Sequence, residues 1–168
     1  MSKVIVISGE SSGIGKAAAE YFQNKGNKVI GLSRSYPKDN YAYDYVLCDL
    51  GDPVSVEKAV EEISKIANYI DVLVNCAGIG ISGAVEYTSL EEVIQIFNVN
   101  VVGQFHITKS LLPLIRKSKN GKIVNIGSVA GELTIPFQTF YFHLIHILNR
   151  VQDVNYENRP FRILILYS

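Results

Sequence analysis

The stretch "KVIVISGESSGIGKAAAEYFQNKG", residues 3–26, decides the fold. Its opening, KVIVIS, is a short apolar run of the kind that forms a buried strand. A turn follows in which Gly9, Gly13 and Gly15 are spaced G-x-x-x-G-x-G. The remainder reads as a helix closed by Gly26. Strand, glycine-rich turn and helix in that order let the backbone turn sharply and approach a pyrophosphate closely. The first turn of the helix then offers that anion unpaired N–H groups and the positive end of its dipole. A tight turn that binds nothing is the competing reading, and the position directly after the first strand weighs against it.

Outward from this stretch, short apolar runs keep alternating with longer segments of helical period, the mark of βαβ units and a parallel sheet. KVIGLS gives a second strand, YDYVLC a third and IDVLVN a fourth. Asp52 and Pro53 start a helix, Asp as cap and Pro in the first turn. Its apolar positions Val56, Ala59, Val60, Ile63, Ile66 and Ala67 keep helical spacing. Thr88 with Glu91 resembles a capping box opening the next helix. A long helix is expected from about Val101 to Lys117, then a fifth strand, GKIVNIGS, an apolar stretch from Phe140 to Val154, and a last strand, FRILILY. No repeat, low-complexity tract or linker interrupts the series. The expected fold class is therefore α/β, one doubly wound, Rossmann-like parallel sheet accounting for residues 1–168.

Composition agrees with a soluble globular domain: 48% hydrophobic, 19% charged, over 168 residues. Sixteen basic residues balance sixteen acidic ones, so nothing in the global charge favours nucleic acid or an anionic membrane. Cys48 and Cys76 lie far from any ligand-like spacing and read as reduced, buried thiols. The apolar run Val4–Ile7 is too short for a signal peptide or a membrane span, which makes the cytoplasm the expected location.

The second strand ends GLSRS. A site for NAD usually places an acid there for the ribose hydroxyls, whereas a site for NADP tends to use arginine for the 2′-phosphate. Ser33 and Arg34 occupy the position, with no acid. The reading is NADP, with NAD as the alternative; a solvated loop cation is the competing account of Arg34.

The ordered set SGESSGIG, CDL at 48–50, NCAG at 75–78, NVNVVG at 98–103 and NIGSVAG at 125–131 resembles the short-chain dehydrogenase/reductase family over residues 3–141. The resemblance implies that Gly9, Ser11, Ser12, Gly13, Ile14 and Gly15 line the diphosphate and ribose. Asp49 would meet the adenine, with Leu50 nearby, while Asn75, Ala77 and Gly78 would shape the floor at the end of strand four. Ser8 stands where the family often has threonine, and Cys76 replaces an asparagine. The implied reaction is hydride transfer between a nicotinamide and a carbonyl or secondary alcohol. Tyr141 would be the acid/base, Ser128 would hold the substrate oxygen, and Asn100 would support a proton-relay water. The family also implies a homodimer or homotetramer, paired through helices corresponding to 101–117 and 139–157.

The departures begin after Tyr141. The family carries a lysine one turn on, and this chain carries Ile145. Free tyrosine titrates near ~10, so a cation on the same helical face is what makes it a usable base near neutral pH. No lysine follows Lys122. His143 and His146, at +2 and +5, point well round the helix from Tyr141. They also lack an acidic third ligand, so no metal site is expected. The helix reads YFHLIHIL where the family is small and polar. Resemblance returns at ENRPFRI, and the chain stops at LILYS, before the family's substrate lid and seventh strand. Three expectations stand open: an active oxidoreductase, a cofactor-holding but catalytically weak relative, and a truncated or altered copy of an active enzyme.

Overall fold

The computed structural model describes residues 2–36 and 42–128, and the backbone of 162–167. Tyr141, His143, Ile145 and His146 lie outside the described residues. The strands are β1 (Val4–Ser8), β2 (Lys28–Ser33), β3 (Asp44–Leu47), β4 (Val72–Asn75), β5 (Lys122–Gly127) and β6 (Arg162–Tyr167). They form one sheet in the order β3-β2-β1-β4-β5-β6, with every pairing parallel. The chain therefore winds outward from β1 through β2 to β3, then crosses back to β4 and winds the other way. The doubly wound expectation holds, and β6 falls where FRILILY placed it.

All residues of β1 are buried, because helices cover both faces of the sheet. Helix α1 (Gly13–Asn24) packs Ala18, Ala19 and Phe22 over Ile5, Ile7, Val29 and Val74 on one face. The other face carries the larger core, where Val56, Ala59 and Ile63 of α2 (Pro53–Ile66) and Ile107, Leu111 and Ile115 of α4 (Gln104–Ile115) meet Val4, Val6, Ile30, Leu32 and Leu73. Asp52 caps α2 as expected, its Oδ1 accepting from Val54 N at 3.0 Å with Pro53 in the first turn. Among the described residues no helix is long and apolar enough to cross a membrane.

Two expectations shift. The capping box that opens α3 (Leu90–Phe97) uses Ser89 and Glu92, one residue later than Thr88 and Glu91. Ser89 Oγ accepts from Glu92 N, and Glu92 Oε2 accepts from Ser89 N. The Thr88 hydroxyl instead donates back to Ala84 O. Both pairs satisfy the S/T-x-x-E spacing, so the sequence alone does not separate them. The helix expected from about Val101 also begins earlier: α3 runs on through a wide, π-helical turn, Asn98–Gly103, into α4. Such turns are uncommon and are frequent at functional sites. Here the extra width lets Gly103 lie against Leu50, where an added Cβ would sit 2.2 Å from the Leu50 carbonyl oxygen.

That approach is backbone against backbone and has no soft neighbour to yield. Gly103→Ala is expected to lower the unfolding free energy by about 3 kcal/mol or more, read as a drop in the urea midpoint. An unchanged midpoint would show that the wide turn does not depend on this contact.

Candidate active site

Where β1 and β4 diverge into loops of opposite winding, a crevice must open at the carboxyl ends of the strands. A cleft of about 420 Å³ lies there. Gly9 sets its geometry. Its φ of +75° suits glycine, its N–H donates to Leu32 O at 2.8 Å, and a Cβ would fall 2.6 Å from Ala77 Cα. The turn is thus held between the ends of β2 and β4. Gly15 is equally constrained, since a Cβ there would reach 2.3 Å from Gly9 O. Gly13 has φ +54° and open space where a side chain would be. Ser12 precedes α1 without capping it through its side chain, and no acidic residue occupies the first turn. These features fit an anion brought to the start of the helix.

Gly9, Ser11, Ser12, Gly13, Ile14, Gly15, Arg34, Asp49, Leu50, Ala77, Gly78 and Asn100 all line this cleft. Asn75 does not. Its side chain is buried and turned under the floor, donating to Thr108 Oγ1 at 2.9 Å and Asn125 Oδ1 at 2.8 Å. It ties β4 to β5 and α4, and its part in the site is to hold the floor in place. Ser128 follows β5 directly, next to Gly127, which lines the cleft.

Asn100 projects from the wide turn and spends both ends of its amide on one residue. Oδ1 accepts from Ile79 N at 2.9 Å, and Nδ2 donates to Ile79 O at 2.8 Å. Gln104, one turn later, donates to Ala77 O at 2.7 Å. The loop after β4 is therefore pinned by two amide side chains from the helix above it. From below, Ser8 Oγ accepts from Cys76 N and Ala77 N at 3.1 and 3.2 Å. A hydroxyl is what this position requires, so serine does the work of the threonine that the resemblance led one to expect. Asp49 Oδ1 accepts from Gly51 N, which fixes the strand-end loop beside Leu50.

The cysteines are free thiols, Cys48 buried and Cys76 half-buried, and both line the cleft. Burial pushes the Cys48 thiol up to about 12, with the neighbouring Asp49 charge adding to the rise. Burial raises Cys76 as well. Burial thus disfavours the thiolate, the nucleophilic form, at both.

One residue of the glycine turn has a role the sequence reading missed. Glu10 is fully buried, and neither carboxylate oxygen has a partner of full hydrogen-bond geometry. Its side chain lies over Gly31 of β2, where a Cβ would come within 2.5 Å of Glu10 Cγ. Burial raises its pKa from 4.5 to about 7, offset in part by its own backbone N–H and by the Tyr45 hydroxyl. The signal available in the sequence was an acid inside SGESSGIG, opposite a glycine in the second strand.

Residues 3–142 match the profile of the short chain dehydrogenase family, and the chain belongs to it. It is 40% identical over 139 residues to a 3-ketodihydrosphingosine reductase of Bacteroides thetaiotaomicron, which covers 83% of this chain and 52% of that protein. An NADPH-dependent 3-dehydrocapnine reductase of Ornithobacterium rhinotracheale is 36% identical over 161 residues, 88% of this chain and 57% of that protein. The chain thus spans little more than half the length of these relatives. In three dimensions it matches the ligand-free aldohexose dehydrogenase of Thermoplasma acidophilum with a TM-score of 0.90 at 32% identity, over 99% of this chain and 67% of that one.

A raised carboxyl pKa means the native state keeps a proton that the unfolded chain releases. Stability therefore falls as pH rises from about 4.5 to about 7 and stays lower above that. Glu10→Gln, which stays neutral, is expected to be more stable than the parent by about 3 kcal/mol at pH 8, the gap closing towards pH 4.5. Urea unfolding at several pH values reads this directly; a gap that does not change with pH would contradict it.

Proposed function

We propose that the chain is an oxidoreductase that binds NADP in preference to NAD and exchanges hydride with a small-molecule carbonyl or secondary alcohol. The observation that carries this reading is the cleft at the switch point, lined by a glycine turn, an uncapped helix start and Arg34. Arg34 is exposed at the end of β2, where no acid competes for the ribose. Support for NADP also comes from the NADPH-dependent relative. The bound nicotinamide supplies the hydride chemistry, and the protein's own residues supply place and proton.

In this reading Gly9, Ser11, Ser12, Gly13, Ile14 and Gly15 hold the diphosphate and ribose, Arg34 the 2′-phosphate, and Asp49 and Leu50 the adenine. Ala77 and Gly78 form the floor. Ser128 holds the substrate oxygen, and Tyr141 gives or takes the proton at that oxygen. Asn100, whose amide fixes the loop at Ile79, supports a relay water.

Ile145 favours a second reading of the same site, a chain that holds its cofactor but turns over slowly. Ile145 stands where the family carries a lysine, and a tyrosine acid/base that lacks such a cation passes protons poorly at neutral pH. Copies of the chain pair through the helix that carries Val102 and Phe105, both more than half exposed.

Arg34→Ala is expected to weaken NADPH binding about tenfold, the size of a charge-assisted phosphate contact, and to leave NADH binding unchanged. Fluorescence titration of each cofactor measures both. Equal losses for the two cofactors, or no loss for either, would place the 2′-phosphate elsewhere. If turnover is limited by the missing cation, Ile145→Lys is expected to raise the rate of NADPH oxidation with a carbonyl panel while leaving cofactor affinity within about twofold.

A further inference from the structure

Behind the arginine end of the cleft lies a polar cluster to which the proposed reaction gives no part. Glu10 leaves the glycine turn and lies across Gly31 on the α1 face of the sheet. Gly31 is in register with Tyr45 of β3, so the tyrosine stands beside the buried carboxyl. The Tyr45 hydroxyl donates to Ser35 O, and Ser33 Oγ, within reach of both, gives its one proton either to the phenol oxygen or to Ser35 O at 3.0 Å. Ser33 and Ser35 flank Arg34, and all three line the cleft. The phenol that stands beside the buried carboxyl is thus bonded to the loop that carries the arginine.

We infer that Glu10 is a positioning residue whose ionisation, relayed by Tyr45, sets how firmly the Ser33–Arg34–Ser35 loop is held for the 2′-phosphate of the cofactor. This rests on the NADP reading above.

The relay follows from donor counting. Tyr45 has one proton to donate. When Glu10 is protonated, its own O–H is available to the phenol oxygen, and the phenol proton stays on Ser35 O. When Glu10 ionises, it becomes an acceptor stronger than a peptide carbonyl and draws the phenol proton to itself. Ser35 O then loses that bond, and the loop is held by fewer contacts. The two groups are neighbours, because Glu10 lies over Gly31 and Gly31 is in register with Tyr45, and the Tyr45 hydroxyl favours the charged form of the carboxyl. The changeover falls near neutral pH, where burial has brought the carboxyl.

Other groups around Glu10 do not replace Tyr45. Tyr43 of β3 and Cys76 after β4 belong to the apolar cluster on the α1 face. Lys16 of α1 pairs with Glu20 on the surface. Arg34 lies at the rim. Among the described residues, Tyr45 is the side chain that favours the carboxyl's charged form.

The test is the dissociation constant of NADPH, with NADH as comparison, from pH 6 to pH 8 for the parent chain, Glu10→Gln and Tyr45→Phe. A 2′-phosphate itself titrates near ~6, so each parent value is divided by the Glu10→Gln value at the same pH to remove that contribution. For NADPH the ratio is expected to be near one at pH 6 and to rise to about fivefold at pH 8, the scale of one modest hydrogen bond. For NADH it stays flat. Tyr45→Phe keeps the carboxyl but lacks the relay, and its NADPH affinity is expected to follow the pH course of Glu10→Gln. NADH binding by all three proteins serves as the check that each is folded.

Parallel NADPH curves for parent and Glu10→Gln overturn the inference while leaving the NADP reading intact. A pH step that survives in Tyr45→Phe overturns the relay. NADPH binding that is absent at every pH, with NADH binding retained, overturns the NADP reading and the inference together.

Discussion

The structure depends on how closely the chain can fold at Gly9. Its N–H is bonded to the end of β2, its missing side chain admits the backbone of Ala77 after β4, and its carbonyl lies against Gly15 at the start of α1. Any Cβ at Gly9 or Gly15 would collide with backbone, which cannot be repacked. That single crossing joins the two halves of the sheet and directs the start of α1 into the gap between them. The strand order, with the chain reversing its winding between β1 and β4, makes the gap; the glycines make it deep enough to reach backbone donors.

Around this crossing the polar side chains are spent on holding loops. Ser8 accepts two N–H groups from the chain after β4, Asn100 clasps Ile79 at both ends, and Gln104 holds Ala77. Asn75 does the same beneath the floor. Each bond is worth about 1 kcal/mol net, but together they leave the segment from Cys76 to Ile79 little freedom. A site that must present backbone atoms to a ligand gains from that rigidity, because ordering is completed before binding. Glu10 is the exception in the cluster. Neither of its buried carboxylate oxygens has a full partner, and burial raises its pKa to about 7.

Much of this was legible in the sequence because each element announced itself locally. The glycine spacing after KVIVIS located the turn, alternating apolar runs gave the parallel order, and Asp52-Pro53 marked the start of α2. The family motifs placed Asp49, Ala77, Gly78 and Asn100 in one cleft. What escaped were facts set by tertiary contact. Asn75 sits within a cofactor motif yet turns its amide towards Thr108 and Asn125, a direction that depends on β5 and α4 being beside it. At the wide turn Asn98–Gly103, Gly103 meets Leu50, far away in sequence. The shift of the capping box by one residue reflects two overlapping patterns of equal spacing. Glu10 was hidden because nothing local sets it apart within the glycine motif; its burial over Gly31 comes from the packing of the turn against β2.

On the proposed function, a dinucleotide phosphate binds at the β1–α1 turn. A second open groove lies at the other end of the strands, with Lys3, Lys117, Lys119 and Lys122 among its lining residues, and it offers a competing destination for an anion. Titration of the ¹⁵N-labelled chain with NADPH, followed by amide chemical shifts, separates the two. The account expects the largest shifts at Gly9, Gly13, Ile14 and Gly15, with Arg34 and Gly78 following. Shifts centred on Lys117 to Lys122, with the glycine turn unmoved, would contradict it.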